Sequence, residues 1–161
     1  MVANAASPSV ESSFVSIVTC RILDTRDLTG ATGPDIGPWS RLGDGETILV
    51  DIDETALNQT CGALTIPDDG VESVLLNVTA VNPSTLSYLV LFPGDTANIN
   101  RPVGSNVNFK SGDAPTANQV TVRLGSDGGD NGLFKLYNHD GTVDVVIDIN
   151  GYYVCEFDSC P

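Results

Sequence analysis

Histidine, tryptophan and methionine each occur once in the 161 residues, and basic side chains are scarce, with seven Lys and Arg against 21 Asp and Glu. The single histidine, His139, sits between Asn138 and Asp140 in a turn-like stretch. A Ser–His–Asp hydrolase, which needs a histidine placed to exchange protons, is therefore not expected. The net charge of −14 repels phosphate backbones and anionic headgroups, so nucleic acid and membrane surfaces are not expected partners. No run of about 18 apolar residues occurs, and hence no spanning helix is expected. Nor is there a 3.6-residue apolar stripe long enough for a major helix. Charged residues make up only 17% and apolar residues 41%. The acidity thus comes from missing positive charge, and the chain has the apolar content to fold as a single domain of ordinary size.

The four cysteines, Cys20, Cys61, Cys155 and Cys160, contain no CxxC spacing of the zinc-clamping or redox kind. An even number suits disulfides, with three connectivities open. The preferred one joins Cys20 to Cys61, stapling an early strand to a later loop, and Cys155 to Cys160, closing a short carboxy-terminal loop. Paired cysteines imply a compartment outside the cytosol. Met1 to Ser9 has neither a basic nor an apolar signal-peptide region, so an export signal is expected to be missing from this sequence.

From Phe14 onward the pattern is period two. Val74, Leu76, Val78 and Ala80 form one apolar row, with Ser73, Asn77 and Thr79 opposite; Ile48, Val50 and Ile52 form another, and Val120, Val122 and Leu124 a third. Across Thr142–Val154 the alternation predicts Val143, Val145, Ile147, Ile149 and Tyr153 inward, with Asp144, Asp148 and Asn150 outward. Gly, Pro, Asn and Asp clusters punctuate these runs at Gly43–Gly45, Pro67–Gly70, Pro93–Asp95, Ser126–Gly132 and Asn138–Gly141. Nine or ten short strands at this spacing predict an all-β, antiparallel β-sandwich of the jelly-roll kind, with Thr29–Ser40 as a long loop over one end.

The motifs Cys20-Arg21-Ile22-Leu23-Asp24-Thr25-Arg26, Leu76-Asn77-Val78-Thr79-Ala80-Val81-Asn82-Pro83, Tyr88–Pro93, Asn106–Phe109, Asn118–Val122, Leu136–Asn138 and Asp148-Ile149-Asn150-Gly151-Tyr152-Tyr153 follow one another across residues 14–154. In this order they resemble a widespread, poorly characterised bacterial domain of secreted and cell-surface proteins. The resemblance implies an exported structural or adhesive module without established catalysis. It also implies a cysteine pair at Cys20 and Cys61. The chain departs from the pattern in the acidic Ser126–Gly132 insertion, the tail from Cys155 to Pro161, and a leading arm over residues 1–13.

Arg21, Asp24 and Arg26 on the opening strand and Asp148 on the last one suit a structural ion-pair cluster, because a guanidinium can tie a carboxylate and loop carbonyls together. A glycosidase would need two carboxylates across a cleft. Asp51, Asp53, Glu54, Asp68 and Asp69 read instead as solvated strand ends, and no enzymatic activity is expected. Asp127-Gly128-Gly129-Asp130-Asn131-Gly132 offers oxygen ligands suited to Ca²⁺ but lacks EF-hand spacing, and a plain turn is preferred, with no cofactor. Asn58 and Asn77 satisfy the glycosylation sequon.

The arm carries Val2, Ala3, Ala5 and Val10 and leads into Phe14, with few charges. An extended 13-residue segment reaches about 40 Å, far enough to lie on another copy. Donating it to a sheet edge of the next copy makes a head-to-tail contact that need not close. The expected function is thus an extracellular structural protein that self-assembles into a filament. The alternative is an adhesive module for glycans, with Trp39, Asp127 and Asp130 as contacts.

Overall fold

The computed structural model describes residues 12–26, 40–52, 66–67, 70–127 and 130–155, of which 127, 130 and 131 are described through their backbone alone. The described residues form nine strands: β1 (Ser12–Asp24), β2 (Thr47–Asp51), β3 (Val71–Val81), β4 (Ser87–Pro93), β5 (Val107–Phe109), β6 (Thr116–Arg123), β7 (Gly125–Asp127), β8 (Asp130–Asn138) and β9 (Asp144–Cys155). One 3₁₀ turn at Asn98–Asn100 is the only helical element among the described residues.

The strands make two antiparallel sheets. The first has the order β1-β9-β3-β6 and the second β2-β8-β4-β5, with β7 also paired to β8. The chain passes between layers after β1, β2, β3, β5, β6 and β8, and this winding is the jelly-roll arrangement, with β7 as a fifth strand added to the second sheet. The period-two rows explain it physically, since each strand offers one apolar face and the two faces close on each other. Val74, Leu76, Val78 and Ala80 are buried, as are Ile48, Val50, Ile52, Val120 and Val122, while Leu124 packs at the margin of the same core.

Three expectations need correction. In β9 the inward aromatic is Tyr152, not Tyr153. The register against β3 slips between Leu75, opposite Gly151, and Leu76, opposite Ile149, so Asn150 is an extra residue that flips the alternation beyond it. The Ser126–Gly132 insertion is not a simple turn, because β7 folds back on the start of β8, with Asp127 facing Asp130. Lastly, the body begins earlier and ends later than residues 14–154: Ser12 pairs with Cys155 and Ser13 with Val154 within one chain. Phe14, expected in the donated arm, likewise pairs with Tyr153 of its own chain, their ring centroids 5.1 Å apart.

Outside the described residues lie Val2, Ala3, Ala5 and Val10 of the arm, the Thr29–Trp39 part of the long loop, Asp53, Glu54, Asn58, Cys61, Asp68, Asp69 and Cys160.

Candidate functional site

The polar cluster forms at the β1–β9 junction. Antiparallel pairing puts Arg21 opposite Asp148. The Arg21 guanidinium donates through Nε to Asp148 Oδ1 at 2.9 Å and reaches Asp24 Oδ2 at 3.2 Å. Arg26 donates to both Asp24 oxygens, at 2.9 and 2.7 Å, and its backbone N–H donates to Asp24 Oδ1 at 3.1 Å. The Arg26 hydrogen bonds, against an opposing desolvation, hold the Asp24 carboxyl below its ordinary range. The hydrogen bond to Asp148 raises the Arg21 guanidinium, and that to Asp24 raises Arg26. All four residues singled out in the sequence thus meet. Their charges are satisfied within the cluster, which suits locking the strand end. Next to it Thr25, itself buried, closes the ladder, its hydroxyl accepting from the Val145 N–H at 2.8 Å.

Asn138 is the residue that sequence reasoning misjudged. It reads as a turn residue, yet it ends β8 with no exposed surface. Its Nδ2 donates to the carbonyls of Gly43, Gly141 and Asp140 at 2.8, 2.9 and 3.3 Å, and its Oδ1 accepts from the Ser87 hydroxyl at 3.3 Å. Three chain segments at one end of the sandwich are tied to this amide. An asparagine closing an alternating strand just ahead of His-Asp-Gly was the available signal.

Two surfaces of the sandwich are unusual. The first is β1 itself, at the edge of its sheet. Its register with β9 breaks between Ser16 and Cys20, and Val18 in that bulge is 86% exposed. From Ser12 to Cys20 the strand carries no charge and no proline, and no described strand pairs with its outer side. Charge, proline and bulges are the guards by which edge strands avoid pairing with another chain, and of these β1 carries only the bulge over this stretch.

The second lies across the sandwich. The outward residues Tyr88, Val90, Phe92 and Tyr137 of the second sheet form a separate apolar cluster. The β4–β5 loop folds onto it, with the Arg101 guanidinium 3.6 Å from the Tyr137 ring centre and Lys135 donating to the Thr96 carbonyl at 2.9 Å. His139 stacks on Tyr88 with centroids 4.5 Å apart, and its Nδ1 lies 3.3 Å from the Tyr137 hydroxyl. Asn106 anchors the far end of the loop: its Oδ1 accepts from the Leu91 N–H at 2.7 Å, and its N–H donates to the Leu89 carbonyl at 2.8 Å. On this pinned loop Ile99 and Val103 stand fully in solvent.

Cys20 and Cys155 are both disulfide-bonded. They are not bonded to each other. Cys20 faces Ile149 whereas Cys155 faces Ser12, which separates them by roughly 20 Å along the strand, against roughly 7 Å at most for a disulfide. Asn77 lies half-buried in the central strand β3, facing Gln119 and Asp148 on its two neighbours. Among the described residues no group of three His, Cys, Asp or Glu is placed to hold a metal.

No protein-family model matches the chain, and no curated protein matches it.

Proposed function

We propose that the protein is an exported, disulfide-stabilised structural protein that polymerises head to tail, residues 1–11 of one copy extending the sheet of the next. One observation carries the reading. The outer edge of β1 from Phe14 to Thr19 is uncharged and free of proline, is interrupted by the bulge after Ser16, and has no strand against it among the described residues. Such an edge exposes a row of backbone donors and acceptors whose pairing supplies affinity without any special side chain. The disulfides at Cys20 and Cys155 support an oxidising compartment. The ion-pair cluster and the Asn138 hub serve rigidity, consistent with a load-carrying subunit.

The test is direct. The full chain and a chain starting at Ser12 are compared by negative-stain microscopy and sedimentation velocity. Fibres from the full chain and monomers from the shortened one are expected. Fibres that persist without residues 1–11, or a full chain that stays monomeric at high concentration, would overturn the proposal.

A second reading, a glycan-binding module, draws on the Tyr88–His139 ring stack, since flat aromatic surfaces pack on sugar rings. Retention on a glycan array that is lost with His139→Ala would favour it over assembly.

A further inference from the structure

Asn77 stands in the middle of β3, an interior strand of the first sheet. Asparagine is disfavoured in strands, and the other asparagines of this sheet engage their side chains. Asn118 Nδ2 donates to the Asn106 carbonyl at 2.7 Å, and Asn150 Oδ1 accepts from the Thr19 hydroxyl at 2.9 Å. The Asn77 amide has no such partner among the described residues. No described polar side-chain atom is buried without a partner, so this amide reaches solvent. Its cross-strand neighbours leave it free: Asp148 on β9 is held by Arg21 at 2.9 Å, and Gln119 on β6 is exposed. A residue that breaks a local preference without a structural return points to a function.

The residues after it say which function. In Asn77-Val78-Thr79, a glycosylation sequon, the strand's period of two turns Asn77 and Thr79 to the outer face and leaves Val78 fully buried between them. Thr79 is flanked by Val146 and Ala117, whose side chains cannot occupy its hydroxyl. The neighbouring Asn82-Pro83-Ser84 is closed by its proline. Asn77 is thus the one sequon within the described residues, and it presents both of its polar groups on one face.

We propose that Asn77 is an N-glycosylation site, taking a saccharide from a lipid-diphosphate-linked donor through a transferase of the producing cell. A bond forms between the sugar C1 and Nδ2 as the bond from C1 to the diphosphate oxygen breaks. The lipid diphosphate leaves with the electron pair, and Nδ2 gives up one proton. The site rests on the exported location proposed above and not on polymerisation. Its attachment point is two strands, about 10 Å, in from β1. The glycan therefore covers the outer face of the sheet with bulky, solubilising material and is rooted away from the open edge.

Protein recovered from the surface or medium of the cells that produce it is reduced and cut after glutamate, which separates Asn77 from Asn58 because Glu72 lies between them. Mass spectrometry should find the peptide beginning at Ser73 shifted upward by a saccharide series. The shift should disappear in Asn77→Gln and in Thr79→Ala and remain in Thr79→Ser, which keeps the sequon. Made in a host without the transferase, Asn77→Gln should melt with wild type, so that the lost shift reads the acceptor and not the fold; a clear drop would overturn the amide as a free acceptor. A bare Asn77 peptide from exported, disulfide-bonded protein would overturn the site alone. Protein found only inside the cell with free thiols would overturn the exported location and the site with it.

Discussion

The ring of Phe14 lies over the α-carbon of Gly151 on the neighbouring strand, so closely that a β-carbon there would sit 2.5 Å from Phe14 Cζ and 2.6 Å from the Val15 carbonyl oxygen. The aromatic thereby covers a bare patch of sheet and packs on Tyr153. This contact ties the beginning of β1 to its own subunit, and an arm exchanged between copies must therefore begin ahead of it.

Gly151→Ala should destabilise the fold by about 1–3 kcal/mol, because one of the clashing atoms is backbone and cannot swing away. Thermal or urea unfolding measures it. Phe14→Ala in the same background should recover only the part due to the ring, and full recovery would show that the Val15 carbonyl does not matter.

Removing the Asp24 carboxylate leaves Arg21 and Arg26 short of a shared acceptor. The pair is partly exposed, so Asp24→Asn should cost on the order of 1 kcal/mol at neutral pH. The folded-state pKa lies below the ordinary 3.8. The stabilisation is therefore fully present above that value and is lost as the pH falls through the depressed one. Unfolding curves of wild type and variant should begin to approach each other as the pH falls below the ordinary 3.8 and meet below the depressed folded-state value; a gap that stays constant with pH would contradict the ion-pair assignment.

Asn138→Ala removes the donor shared by the part-buried Gly43, Asp140 and Gly141 carbonyls and the acceptor of the Ser87 hydroxyl, and a loss of about 1–3 kcal/mol is expected. Asn138→Asp keeps the shape but replaces the donor with an acceptor facing three carbonyl oxygens. It should be at least as damaging, which hydrogen exchange at Gly43 and Gly141 would localise to that end of the sandwich.

Peptide mapping under non-reducing conditions should recover Cys20 joined to Cys61 and Cys155 joined to Cys160. The register already excludes Cys20 with Cys155, and finding Cys20 on Cys160 would reverse the assignment. Reduction should lower stability by about 2–4 kcal/mol per bridge.

The fold class and most of the core were legible because burial in a sheet follows a period of two, and Val74 to Ala80 or Ile48 to Ile52 carry that period without interruption. The four members of the ion-pair cluster were legible for a related reason, since Arg21 and Asp148 were read onto strands that could pair. Beyond Asn150 the pattern failed. A bulge adds one residue and inverts every side chain after it, and nothing local in Asn-Gly-Tyr-Tyr announces which tyrosine goes inside.

Alternation, turn chemistry and charge balance were thus decided by the amino-acid order alone, because each depends on neighbours within a few residues. Tertiary structure alone decided that Asn138 is a buried hub, that Arg101 pins a loop onto Tyr137, and that the large apolar side chains left in solvent among the described residues fall into two groups. Those relationships join residues from separate strands and loops, and only the winding of the chain between two sheets sets the distances among them.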